Sequence, residues 1–270
     1  MVALIKNGQL DMIGAARPSI ADPFFPKKVE EGRLEDIREC IGCNICVSGD
    51  HKSGPIRCTQ NPTMGEEWRR GWLPERIAPR SADESVLIVG AGPAGLEAAR
   101  ALGQRGYRVT LADSASEAGG RIAKERNLPG LAEWGRVADY RHYQIIQMAN
   151  VELLLESHMT TQIIAEFKAD HIALTTGARW CGKGIGRQNT SGIGREPGAK
   201  ILTPDDLMDG DVPAKDVVLF DDDHFYLGGA MADKLNRAGC NVTLIPAGEV
   251  SSWCQNTHEQ HAIQNQLMEQ

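Results

Sequence analysis

Four cysteines stand at Cys40, Cys43, Cys46 and Cys58, in the spacing Cys-x2-Cys-x2-Cys-x11-Cys. Three thiolates within seven residues can wrap one corner of a metal–sulfide cubane, and the fourth must come from the far side of a loop, as Cys58 does. Gly42 permits a tight turn that points backbone N–H groups at the sulfurs, and Ile41, Ile45 and Val47 would keep water away, which tunes a cluster's potential. Structural zinc also takes four cysteines, but zinc sites usually pair two Cys-x2-Cys knuckles across a long gap. The three-plus-one arrangement therefore favours a [4Fe-4S] cluster over zinc, and either over pairwise disulfides. Cys181, Cys240 and Cys254 are scattered and read as small buried hydrophobes.

A second chemical signal follows the apolar run Val86-Leu87-Ile88-Val89. Gly90-Ala91-Gly92-Pro93-Ala94-Gly95 comes at once, and the stretch from Leu96 to Gln104 continues as a helix. In such a turn Gly90 permits the bend, Gly92 lets backbone approach a pyrophosphate, and Gly95 lets helix and strand pack closely. Pro93 sits in the first helical turn, where its missing N–H costs little. The free N–H groups there, from Ala94 onward, offer a positive dipole end to phosphate. The next strand, Arg108 to Ala112, ends in Asp113, 18 residues past Gly95 and placed to accept ribose hydroxyls. Gly119-Gly120-Arg121 could approach the same ligand again, and so could Thr176-Gly177 after the apolar stretch Ile172–Leu174. An ADP moiety, alone or as part of FAD, is the expected occupant.

The pattern repeats with its glycines missing. Aligning Val217–Phe220 on Val86–Val89 puts the three fingerprint positions at Asp221, Asp223 and Tyr226. A carboxylate about 4 Å from a phosphate charge costs on the order of 4 kcal/mol at an effective dielectric of about 20. A micromolar dinucleotide site has only about 8 kcal/mol in total. Two acids and a bulky tyrosine are therefore expected to abolish pyridine-nucleotide binding, unless other contacts hold the nucleotide. The unit itself can still fold: a helix over Gly229–Arg237 ends at Gly239 and leads to a strand over Asn241–Ile245.

Strands alternating with helices require an α/β fold with parallel, doubly wound sheets. Four segments are expected: 1–36, with a short strand ending at Gly14 and Arg17 before Pro18; 37–80, the cysteine segment and a Trp/Arg/Pro-rich connection (Trp68, Arg69, Arg70, Trp72, Pro74, Pro79); 81–200, the nucleotide-binding Rossmann unit; and 201–270, the degenerate unit. The net charge of −7 argues against a nucleic-acid surface. No apolar run approaches the roughly 20 residues a membrane helix needs, and no signal peptide is visible, so a cytoplasmic setting is expected.

Taken together these motifs resemble the trimethylamine dehydrogenase group of flavoproteins, related to 2,4-dienoyl-CoA reductase. Ile13-Gly14-Ala15-Ala16-Arg17-Pro18-Ser19-Ile20-Ala21-Asp22-Pro23 looks like the last strand and exit of a (β/α)8 barrel, Cys40–Cys46 with Cys58-Thr59-Gln60-Asn61-Pro62 like the cluster segment, Gly90–Gly95 like the ADP site, and Asp221–Tyr226 like the degenerate second site of the amine dehydrogenase branch. The wording around the cysteines is similar to dimethylglycine and N-methylproline demethylase-like members. The resemblance implies that Gly14 and Arg17 contribute to an FMN phosphate site. It also implies that methylated amines are oxidised at a barrel, and that electrons pass through the cluster to a soluble acceptor such as electron-transferring flavoprotein. Family members carry a complete barrel and further strands after the second unit, so the chain reads as an internal piece of a longer protein, with no residue that acts on substrate. Two rivals remain: an NAD(P)H-dependent reductase of the dienoyl-CoA reductase or glutamate synthase small-subunit type, against which Asp221 and Asp223 speak, and a non-catalytic module braced by zinc and ADP. A homo-oligomer is compatible with all three.

Overall fold

In the computed structural model the described residues are 2–51, 53–66, 68, 77–186, 188–211, 213 and 215–270. Of the Trp/Arg/Pro-rich connection, Trp68 and Pro79 are described, whereas Arg69, Arg70, Trp72 and Pro74 lie outside the described residues.

The first segment is helical and irregular. It holds α1 (Val2–Lys6), α2 (Ala16–Ala21) and α3 (Phe25–Glu30), and α4 (Ile45–His51) then carries Cys46. The strand expected before Pro18 is not formed. Residues 10–15 have no strand partner among the described residues, and a strand exists only through pairing. Arg17 instead lies in α2. Below these helices a buried polar cluster ties the segment down: Lys28 Nζ meets Asp22 Oδ2 at 2.7 Å, and the same oxygen accepts the Arg38 backbone N–H at 2.9 Å.

Val86–Val89 are buried on both faces, which only the middle of a parallel sheet provides. β1 (Ser85–Val89) pairs with β2 (Arg108–Ala112) on one side and with β4 (His171–Leu174) on the other, and β3 (Val151–Leu154) adds outside β2. The order β3-β2-β1-β4, with every pair parallel, puts β1 at the centre. α5 (Pro93–Arg105), α6 (Arg121–Glu125), α7 (Arg136–Ile146) and α8 (Thr161–Phe167) connect the strands. Leu96 and Ala99 of α5 and Ile145 of α7 close the core over Ile88 and Leu111. α5 stops at Gly106, whose φ of +92° suits a residue without a side chain.

α9 (Pro204–Met208), opened by a reciprocal Thr203–Asp206 capping box, leads to the second unit. There β5 (Asp216–Asp221) and β6 (Asn241–Pro246) pair in parallel around α10 (Leu227–Arg237), and α11 (Gln260–Met268) follows. The core of this unit reaches into the first: Leu128 and Leu131 pack with Leu207, Met231 and Leu235.

Candidate functional site

The glycine loop leaves β1 and enters α5 as its residue types require. Gly90 has φ +108°, and a Cβ there would lie 2.4 Å from the Thr175 carbonyl oxygen. A Cβ on Gly95 would lie 1.8 Å from the Gly90 oxygen, so strand and helix touch only because Gly95 is bare. Gly92 differs. Nothing lies within 4 Å of where its Cβ would stand, so its open face points at space a ligand can use. Gly92 caps α5 without a side-chain bond, and Pro93 begins the helix. The first N–H groups therefore face the loop with a positive dipole end, and Ala94 is exposed there.

Two side chains hold this loop. Asp113 Oδ2 accepts the Ala91 N–H at 2.6 Å, and its Oδ1 accepts the Ala115 N–H at 2.8 Å. The acid expected to face ribose is thus already bonded to backbone at both oxygens, each with lone-pair capacity left. Thr175, directly after β4, donates from Oγ1 to the Gly90 oxygen at 2.7 Å. Thr176 and Gly177 follow it, exposed, with Gly177 at φ +74°. Gly120 comes back against the loop, since its Cβ would sit 3.0 Å from the Gly92 Cα. Arg121 turns away: it donates to the Ala178 carbonyl and pairs with Asp205 at 3.2 Å.

The four clustered thiols are free and partly buried, and Ile41 beside them is only 4% exposed. Gly42, at φ +71°, directs its N–H to the Cys40 sulfur at 3.4 Å, and the Cys43 sulfur lies 3.1 Å from the Thr59 hydroxyl. Burial pushes the Cys58 thiol up, while the N–H groups of Asn61 and Gln60 and the charge of Arg38 work against that. Among the described residues no three such groups converge as on a single metal ion. Of the scattered cysteines, Cys240 and Cys254 are buried as expected; Cys181 is exposed, because it follows β4 in an irregular stretch with no core to join.

The rest of the molecule braces the cysteine loop. Arg141, 4% exposed on α7, donates to the Gln60 side chain at 2.7 Å and to its carbonyl at 3.1 Å, and Gln60 donates to the Glu39 carbonyl at 3.0 Å. Both ends of the loop are thereby joined. Arg136 donates to the Cys40 carbonyl at 3.1 Å. Arg17 donates to Asn44 Oδ1, and Gly14 lies exposed ahead of it.

The degenerate second site faces the same loop. Asp221, 4% exposed, accepts the N–H groups of Asp223 and His224 at 3.0 and 3.1 Å, and its carboxylate packs where a Cβ on Gly228 would be, 2.4 Å away. A negative charge of the protein itself thus occupies the start of α10, where a phosphate would have used the helix dipole. Tyr226 points to the cysteines: its hydroxyl donates to the Cys43 carbonyl at 2.8 Å. Asn44 donates to Glu259 Oε1 at 2.8 Å from the other direction.

Residues 88–151 match a family of NAD(P)-binding Rossmann-like domains. The whole chain superposes on histamine dehydrogenase from Rhizobium sp. 4-9 with a TM-score of 0.95 at 51% identity, covering 40% of that chain. It also superposes on 6-hydroxypseudooxynicotine amine oxidase from Pseudomonas geniculata N1 with a TM-score of 0.93 at 48% identity, covering 41%. In sequence it is 41% identical to dimethylamine dehydrogenase from Hyphomicrobium sp. (strain x) in an alignment 281 positions long that covers all of this chain and 38% of that protein. The chain spans about two fifths of the length of each of these relatives.

Proposed function

The chain belongs to the trimethylamine dehydrogenase-like family, and on that footing we propose that it is the electron-transfer portion of an iron–sulfur flavoprotein oxidoreductase that dehydrogenates or demethylates small methylated amines. The observation that carries the reading is the cysteine segment: four free thiols between residues 40 and 58, one of them on α4, braced by Arg141, Arg136 and Tyr226. That donor set fits a [4Fe-4S] cluster, whose irons each need a thiolate of their own. Cys40, Cys43, Cys46 and Cys58 would hold it, the Gly42 N–H would offset thiolate charge, and Ile41 would exclude water. Such a cluster supplies one-electron transfer, which suits a soluble acceptor such as electron-transferring flavoprotein.

The loop Gly90–Gly95 would hold the pyrophosphate of FAD or ADP, with the α5 N-terminus against the phosphates and Asp113 setting the loop's shape. Gly14 and Arg17 would reach an FMN phosphate at the mouth of a barrel of which residues 1–36 are the tail. Arg17 also bonds Asn44 between Cys43 and Ile45, so the same side chain would join flavin site to cluster loop. A cytoplasmic homo-oligomer is consistent with this role, and no described helix is long and apolar enough to cross a membrane.

Anaerobic reconstitution with ferrous iron and sulfide tests the reading. Iron in four-iron proportion and a broad visible absorbance that bleaches with dithionite are the expected results; no bleaching overturns it, and zinc at one per chain without iron favours the non-catalytic zinc/ADP module. A second reading, an NAD(P)H-dependent flavin reductase, draws support from the match of residues 88–151 to NAD(P)-binding domains. It requires tight NADPH binding to the chain, where the amine dehydrogenase reading expects none at the Asp221 loop.

A further inference from the structure

Away from the glycine loop, a cavity of about 460 Å³ opens between α4, α6 and the turn that leads into α10. Three of the chain's five tryptophans line it, Trp134, Trp180 and Trp253, together with Phe225 and Tyr226. The Tyr226 ring meets Trp134 at 5.2 Å and 75°, and Phe225 at 4.8 Å and 69°. The wall is therefore a corner of crossed rings rather than a flat stack, and its volume lies in the range of small-molecule sites.

The two charged residues that line this space are both acidic. Glu125 and Asp223 border it, and no lysine or arginine does among the described residues. Burial holds the Glu125 carboxyl above its ordinary value; Arg121 pulls it back, and Asp205 and Asp223 push it further up. The Trp180 indole N–H is buried with no hydrogen-bond partner among the described residues, and Arg121 stands 5.9 Å from that ring. A carboxylate held among aromatic rings is complementary to a cation with an apolar body. Ring quadrupoles attract the charge, the carboxylate neutralises it, and the rings cover the hydrocarbon.

We propose that this cavity binds an organic ammonium ion with an aromatic or bulky alkyl body, with Glu125 as its counter-charge. Ile45 and Ser48, which line the cavity, stand on either side of Cys46 in α4. A neutral apolar ligand would use the rings but not Glu125, and an inorganic cation would use Glu125 but not the rings.

Calorimetry and tryptophan fluorescence on the full 270-residue chain, with benzyltrimethylammonium chloride as the probe, test this. Saturable binding is expected, at least tenfold tighter than benzyl alcohol or sodium ion achieves, and weakening as salt is added. Glu125→Gln, nearly the same shape without the charge, is expected to lower the affinity at least tenfold, with circular dichroism confirming the fold. If that variant does not fold, the salt titration and the benzyl alcohol comparison on the unaltered chain decide alone. Absence of binding, equal binding of benzyl alcohol, or a Glu125→Gln variant that binds as tightly as the original chain overturns the proposal.

Discussion

Replacing Gly92 by alanine separates ligand binding from folding. The backbone there has φ −70° and ψ −179°, which alanine adopts without strain, and nothing lies within 4 Å of the added methyl. Alanine is a poorer helix cap than the best residues by about 1 kcal/mol, and glycine is close to the best. The reduced freedom of the unfolded chain returns roughly 0.4–1 kcal/mol. The two nearly cancel, so the thermal midpoint is expected to move by no more than a few degrees. The ligand meets a different balance. The methyl stands on the open face, and holding a pyrophosphate off the helix end forfeits at least one charge-assisted hydrogen bond, about 1.5–3 kcal/mol. That is roughly a ten- to hundredfold loss of ADP affinity. Calorimetric titration of the chain and of Gly92→Ala with ADP, beside their melting curves, reads both. Unchanged ADP affinity in a folded variant would refute the assignment of the loop.

Gly95→Ala should behave in the opposite way. Its Cβ would stand 1.8 Å from the Gly90 oxygen, and overpacking of this kind costs about 3 kcal/mol or more, visible as a lowered urea midpoint with or without nucleotide. Cys58→Ser should leave reconstituted protein with less iron per chain and a weaker bleachable absorbance, while ADP affinity stays unchanged. Tyr226→Phe removes the hydroxyl bonded to the Cys43 carbonyl; about 1 kcal/mol of stability and faster release of iron to a chelator are expected. Acid should act through Glu97. Burial raises this carboxyl, but the hydrogen bond and charge of Arg100, with the charges of Arg141 and Arg38, outweigh it and hold the group below its ordinary 4.5. A lowered folded value means that its stabilisation is full above about pH 4.5 and is lost as the pH falls through the lowered value. Urea midpoints measured against pH should show that loss. In Glu97→Gln this share of the acid dependence should vanish, and stability at neutral pH should fall by about 3 kcal/mol, because Arg141 keeps its burial and loses its carboxylate.

What the sequence made legible was local. Val86–Val89, the glycines after it and the strand to Ala112 are fixed by hydrophobic period and turn chemistry within 30 residues, and β1, α5 and β2 stand where those signals put them. In the degenerate unit β5, α10 and β6 also stand where the pattern puts them, but the strand expected to be buried at Val217–Phe220 leaves Val218 and Phe220 exposed, because only β6 pairs with it among the described residues. Three things escaped. The strand before Pro18 depends on neighbours rather than on its own residues, and it is absent without them. The partner of Asp113 Oδ2 is the Ala91 N–H on another loop, which no spacing rule reveals. The support of the cysteines comes from Arg141, 81 residues beyond Gln60, and from Tyr226, 183 residues beyond Cys43. Tyr226 was noticed only as an obstacle to a nucleotide. The one available signal was that a large polar side chain at a glycine position must have something to reach.

That 183-residue separation also sets an order of events during synthesis. At about 5–20 residues per second, Tyr226 leaves the ribosome roughly 10–40 s after Cys43. For that interval the four thiols exist without the surface that later fastens their loop, and Glu259, which holds Asn44, arrives later still. Metal loaded during translation would meet a loose set of cysteines, whereas metal loaded afterwards would meet a loop already fixed in shape. The contacts from Tyr226 and Glu259 can therefore form only once the last quarter of the chain has been made, after Arg136 and Arg141 are already there to brace the loop.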